Sequence, residues 1–166
     1  DDVSFAGSAL AGAEHSQHRL LYATPELAEA LHLSGLASVK IRVAANRPAA
    51  NLSVWLVSLP WADDGTLTDN VITRGWADPQ NSESLRTSAP LVPGAFVDLE
   101  FDLQPDDQVI PAGQRIGLML FSSDREFTLW PQPGTELTID LEGTTLRLPV
   151  VGGVAAFNRA VKAPIS

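Results

Sequence analysis

The chain has 166 residues, with eleven basic against twenty acidic side chains and a net charge of −9, a balance that repels phosphate backbones and argues against a nucleic-acid partner. It contains no cysteine, which excludes a disulfide framework, a thiolate metal site and a cysteine nucleophile. At 45% hydrophobic and 19% charged residues it is globular, long enough for one domain, and without the run of about 18 apolar residues that a membrane-spanning helix needs.

The start, Asp1-Asp2-Val3-Ser4, lacks the basic and apolar regions of a signal peptide and reads as a mature or excised piece. Residues 1–18 are small and polar, a lead-in with one short strand expected near Phe5. Arg19–Thr24 is the first good strand, stopped by Pro25. Two readings compete over Pro25–Leu31. Thr24 as cap and Pro25 at the first helical position predict a helical turn, whereas the alternation Ala30-Leu31-His32-Leu33 predicts extended chain. The second is favoured, as a strand over Glu29–Leu33 ended by Ser34-Gly35.

Ser38–Val43 sets Val39, Ile41 and Val43 on one face and Lys40 and Arg42 on the other. Asn51–Leu59 is apolar on both faces, the pattern of a central strand covered on both sides. Residues 60–70 are a turn-rich loop, Val71–Trp76 is a short strand, and 78–94 are irregular. Val97–Leu103 alternates apolar and acidic residues, and Arg115–Phe121 follows as another strand. Leu137–Leu141 and Thr144–Val150 read as a tight hairpin across Glu142-Gly143. Beyond Gly152-Gly153, Val154–Val161 is either a short helix or an extended arm. Roughly eight or nine short strands, punctuated by Gly, Pro, Asn and Asp, predict an all-β fold, a β-sandwich or jelly roll. The helical crossovers of a parallel α/β fold are missing.

Catalytic chemistry is poorly supplied. The histidines are His15, His18 and His32, all in the first fifth, and no Gly-x-Ser-x-Gly elbow occurs. Ser122-Ser123-Asp124 lacks the flanking glycines and the following helix. His15 and His18 read as surface residues, and Asp98, Glu100 and Asp102 as a solvated strand face. Asp63-Asp64 and Asp106-Asp107 are weak candidates for calcium through loop oxygens, without the spacing of a calcium loop. No catalytic residue, metal site or cofactor is therefore expected. Trp55 reads as core. Trp61, Trp76 and Trp130 sit at strand or loop ends, where an indole covers the end of a sandwich, stacks on sugar or joins an interface.

Several motifs in order resemble one family. Leu33-Ser34-Gly35, Val39–Val43 and Leu52-Ser53-Val54-Trp55-Leu56-Val57 look like the start of the C-terminal domain of X-prolyl dipeptidyl-peptidases and related cocaine-esterase-type hydrolases. Thr73-Arg74-Gly75-Trp76 with Ser84-Leu85-Arg86 fits part of that domain's pattern. Pro90–Gly94, Val97–Leu103, Ile110–Ile116 and Ser122-Ser123-Asp124 match its most distinctive run. The ending, Pro133–Leu137 through Leu148–Gly153, resembles the secreted actinobacterial branch. The resemblance covers residues 19–153, leaving 1–18 as lead-in and 154–166 as tail. It implies a galactose-binding-like jelly roll and a parent serine hydrolase that removes X-Pro dipeptides. The parent's triad would lie in an upstream α/β-hydrolase domain, and no residue here matches that triad. The expectation is thus a non-catalytic, extracellular accessory domain that packs on the hydrolase domain and shapes its cleft, with oligomerisation left open. Trp61, Trp76, Asp78, Asn81 and Trp130 are the candidate contacts. The alternative is a carbohydrate-binding module using exposed tryptophans.

Overall fold

The computed structural model describes residues 7–13, 15–62, 67–122, 124 and 127–162. The strand expected near Phe5 and the calcium candidates Asp63 and Asp64 lie outside the described residues.

Two antiparallel sheets face each other. The first takes the order β1 (Arg19–Ala23), β8 (Arg115–Phe121), β4 (Leu52–Leu59), β5 (Val71–Ala77). The second is built on β6 (Phe96–Asp102), β3 (Ser38–Ala45) and β9 (Leu137–Arg147). The pair β2 (Leu31–Gly35) and β7 (Asp106–Ile110) extends it. The chain just beyond β9 makes that junction: Ser34 N–H donates to the Pro149 carbonyl (2.9 Å), Val151 N–H donates to the His32 carbonyl (2.9 Å), and Leu33 pairs with Val150. Between the sheets lie Val54 and Leu56 of β4, Ile116 and Leu120 of β8, Val39, Ile41 and Val43 of β3, and Leu31, Leu33 and Ile110 of the β2–β7 pair. Each such side chain contributes about 1.5–3 kcal/mol by leaving water. The expected all-β sandwich is what forms.

β4 organises the molecule. Every residue from Leu52 to Ser58 is buried. Leu52, Val54 and Leu56 enter the core between the sheets, while Trp55 and Val57 enter a second core on the outer side of the first sheet. That second core is closed by α1 (Gly7–Gly12), whose Leu10 and Ala11 are fully buried against Trp55, Met119 and Phe121. A Cβ at Gly7 would stand 2.5 Å from Trp55 Cζ2, so glycine lets the helix lie directly on the indole. Arg19 ties down the other end of α1: its Nε donates to the Leu10 carbonyl (2.5 Å) and its Nη2 to the Ala13 carbonyl. A cation there meets the negative end of the helix. Burial lowers the Arg19 pKa, yet a guanidinium starts so high that it stays charged.

Several expectations shift. Residues 25–30 form neither helix nor strand; Leu27 is buried and exchanges backbone hydrogen bonds with the β7–β8 turn, Leu27 N–H to Gln114 (2.7 Å) and Gly113 N–H to Leu27 (2.7 Å). β2 therefore begins at Leu31, not Glu29, and includes Ser34 and Gly35, because Ser34 finds a partner in Pro149. The expected hairpin of Leu137–Leu141 and Thr144–Val150 is one strand, β9, with a wide bulge. Lys40 pairs with Thr145 and Arg42 with Asp140, so residues 141–144 loop out opposite Ile41. Thr144 fastens the bulge: its hydroxyl donates to the Asp140 carbonyl (2.7 Å) and accepts from Arg42 N–H (3.3 Å). The tail is helical, α2 (Gly153–Val161), started by Gly152 at φ +85° and anchored by buried Ala160, whose carbonyl accepts from Ala28 N–H (2.6 Å).

Candidate docking face

The register of β4 and β5 places Trp55 beside Arg74 and Ser53 beside Trp76 on the outer side of the first sheet. Cross-strand neighbours on one face are within side-chain reach. The Arg74 guanidinium carbon stands 4.4 Å from the Trp55 ring centre and 5.0 Å from that of Phe127, so the cation is held between two aromatic faces. Phe127 in turn packs on Trp76, with ring centres 5.3 Å apart.

Asp124 fixes this cluster. It is fully buried, and its Oδ2 accepts from Trp55 Nε1 (3.1 Å) and from Trp76 Nε1 (3.0 Å). One carboxylate thus orients two indoles that approach it from adjacent strands. Its backbone carbonyl accepts from Phe127 N–H (3.0 Å), Thr128 N–H (2.8 Å) and the Thr128 hydroxyl (3.0 Å), which starts the turn that lays Phe127 against Trp76. The same segment then reaches the Leu52 end of β4, where Asn51 Nδ2 donates to the Leu129 carbonyl. Beyond it the apolar side chains point to solvent: Leu129 is 86% exposed, Trp130 58% and Phe127 49%.

The tryptophans chosen from sequence separate. Trp76 is half-buried with its N–H committed to Asp124. Trp61 is half-buried against the Leu10–Trp55 core at the other end of the same face. It is held there because buried Asn70 gathers the preceding turn, donating to the Ser58 (2.6 Å) and Pro60 (2.8 Å) carbonyls and accepting from Ala62 N–H (2.7 Å). Trp130 alone of the three is largely exposed. Asp78 and Asn81 build one short 3-10 turn next to Trp76. Asp78 Oδ1 accepts from Gln80 N–H (2.9 Å) and Gln80 Nε2 (3.0 Å), and Asn81 N–H donates to the Asp78 carbonyl (2.9 Å). Because Leu52 pairs with Ala77, this turn and Asn51 with its Leu129 partner share one end of the sheet. Trp76, Asp78, Asn81 and Trp130 are therefore brought together, and Trp61 is not.

Asp106 and Asp107 are strand residues of β7 and not loop ligands. Successive strand side chains point to opposite faces, so the pair does not converge on one ion. Asp107 Oδ1 instead contacts His32 Nε2 across the β2–β7 pair, in an exposed position. The sequence reading did not single out Arg74, Asp124, Phe127 or Leu129 as site residues. The available signal was paired: two tryptophans need acceptors once buried, and Asp124 follows β8 directly.

An antiparallel sandwich with a braced arginine–aromatic face and an exposed apolar loop beside it has the make-up of an accessory domain. The chain belongs to the family of X-Pro dipeptidyl-peptidase C-terminal non-catalytic domains, whose model matches residues 1–161. It is 68% identical over 155 residues to a Rhodopirellula baltica protein named "Putative Xaa-Pro dipeptidyl-peptidase", covering 92% of this chain and 25% of that one. A Bacillus cereus protein of the same name is 38% identical over 134 residues, 81% of this chain and 22% of the relative. The chain thus spans about a quarter of the length of the curated relatives it matches. Among solved structures, an alpha-amino acid ester hydrolase superposes with a TM-score of 0.68 at 18% identity, over 81% of this chain and 26% of that one, and shares the fold.

Proposed function

We propose that this domain packs on the α/β-hydrolase domain of a serine X-Pro dipeptidyl-peptidase and supports the shape of that enzyme's active-site cleft. The observation that carries the reading is the exposed apolar run Phe127, Leu129 and Trp130, set on a buried and hydrogen-bonded base. Rigid aromatics flanked by an arginine are the composition of an interface hot spot. An apolar group left in water on a structured loop marks a contact surface. Family membership supplies the kind of partner. Sugar binding has less support, since two of the three candidate tryptophans, Trp61 and Trp76, are packed within the domain. An extracellular setting is supported by the resemblance to the secreted branch alone, and secretion of the parent protein into culture medium checks it.

The test mixes the chain with the remainder of the Rhodopirellula baltica relative, from which the matching segment has been removed. Association by titration calorimetry, with recovered release of dipeptide from an Ala-Pro reporter, is the expected result. Trp130→Ala with Leu129→Ser weakens it at least tenfold, as loss of hot-spot residues does. Absence of any association overturns the reading.

A further inference from the structure

Among the described residues, Arg74 shares this face with other groups whose bonding is incomplete, Ser53 Oγ and Asn81 Oδ1, and it is the charged one of the three. Its Nε is buried and has no hydrogen-bond acceptor among the described residues. No carboxylate lies within ion-pair distance of the guanidinium among the described residues, and Asp124 directs Oδ2 to the indoles instead. No hydrogen bond from the terminal nitrogens is found among the described residues, and the side chain as a whole is half-buried. The guanidinium is clamped between Trp55 and Phe127, so its plane and direction are fixed before anything binds. A buried donor without an acceptor is unfavourable, and native structures leave few of them. A rigidly held guanidinium fork is the group that receives a carboxylate through two parallel N–H···O bonds.

We infer that Arg74 is a receptor for a single Asp or Glu carboxylate of the hydrolase domain, and that this ion pair sets the register in which the apolar loop docks. The inference rests on the docking reading above. The chain carries a net charge of −9, so an acidic side chain is disfavoured on average, and a fixed cation on the docking face favours one seating. The apolar residues Leu129 and Trp130 supply contact area, and Arg74 supplies direction.

The experiment uses the same two-part complex. Arg74→Met removes the charge and keeps the bulk; Arg74→Lys keeps the charge and loses the flat fork. Both are expected to weaken association roughly tenfold to a hundredfold, the loss typical of a charge-assisted hydrogen bond. The native pair should weaken with added salt more steeply than the Arg74→Met pair. A scan of the partner's surface Asp and Glu to Asn and Gln should find one position whose effect vanishes in the Arg74→Met background. Should Arg74→Met fail to fold, the same scan against native and Arg74→Lys domains reads the coupling. If the native pair associates and the apolar double variant weakens it, yet both Arg74 variants bind as tightly as native, the carboxylate inference falls and the docking reading stands. If the native pair does not associate, both fall.

Discussion

Arg42 and Arg74 stand on opposite outer faces of one sandwich, each beside an aromatic ring, and they are treated in opposite ways. Arg42 lies 5.4 Å from the Phe96 ring centre and is surrounded by acid, with Asp140 at 3.1 Å and Asp98 at 3.5 Å. Lys40 adds a looser contact to Asp98 at 3.9 Å. All of these side chains are between a third and a half exposed, so the face is a screened, self-neutralising surface worth little to stability. Arg74 has two aromatic rings, a buried Nε and, among the described residues, no acid within ion-pair distance. The lesson is that a charge already neutralised within the chain marks a solvent face. A charge fixed in place with no counter-ion among the described residues marks a face built for something else.

The largest way to break this contrast is to remove the floor beneath Arg74. Trp55 is an outward residue of the first sheet by register, yet only 1% of it is exposed. Trp55→Ala is expected to cost about 3–5 kcal/mol in urea unfolding, the range for truncating a large buried aromatic. A loss under about 1 kcal/mol would show that this side of the sheet is surface, like the face that carries Arg42. Next comes the brace. Asp124→Ala leaves two indole N–H groups without their acceptor, for an expected loss of about 2–6 kcal/mol at about 1–3 kcal/mol per unsatisfied group. Asp124→Asn keeps an oxygen in place and should lose clearly less, and tryptophan emission should report the displaced indoles in the alanine variant.

On the Arg42 face the tight point is backbone and not charge. A Cβ at Gly143 would stand 2.6 Å from Arg42 Cδ and 2.8 Å from Arg42 Cβ. The second of these atoms cannot swing away, so Gly143→Ala is expected to cost about 1–2 kcal/mol through strain in the bulge. Thermal unfolding with and without added salt separates this from charge: the loss should be the same in both. Asp98→Asn, by contrast, should change stability by less than about 1 kcal/mol, since Arg42 keeps Asp140 and the pair is half in water.

How far these features were legible in the sequence follows the range of the interactions. The two-sided burial of β4 was visible because Leu52–Leu59 contains no polar face to spare. The solvated series Asp98, Glu100 and Asp102 was visible because period 2 is a local signal. Glu142-Gly143 misled because an acidic residue followed by glycine is a turn signal at short range; what keeps β9 going is Arg42, 102 residues away from the Thr144 hydroxyl it bonds. The helix at Gly7–Gly12 was illegible because its single large side chain, Leu10, gives no periodicity, and its reason is the space above Trp55. Asp124 was hidden in the same way. Its partners lie 48 and 69 residues upstream, and only the pairing of β4 with β5 brings both indoles to one oxygen.

The smallest expected effect is the most discriminating. Arg74→Met in the isolated chain loses a cation–π contact worth about 0.5–2 kcal/mol. It also removes a buried N–H without an acceptor, a fault of about 1–3 kcal/mol. The two nearly cancel, so the unfolding midpoint of the isolated chain should move by no more than a few degrees in either direction. A thermal scan of the isolated variant, set beside its affinity for the hydrolase partner, reads both numbers on one protein. A side chain retained for stability would show a large loss in the scan. A side chain retained for docking shows almost none there and its whole effect in the complex, and that is the behaviour implied by a clamped guanidinium without an acid partner among the described residues.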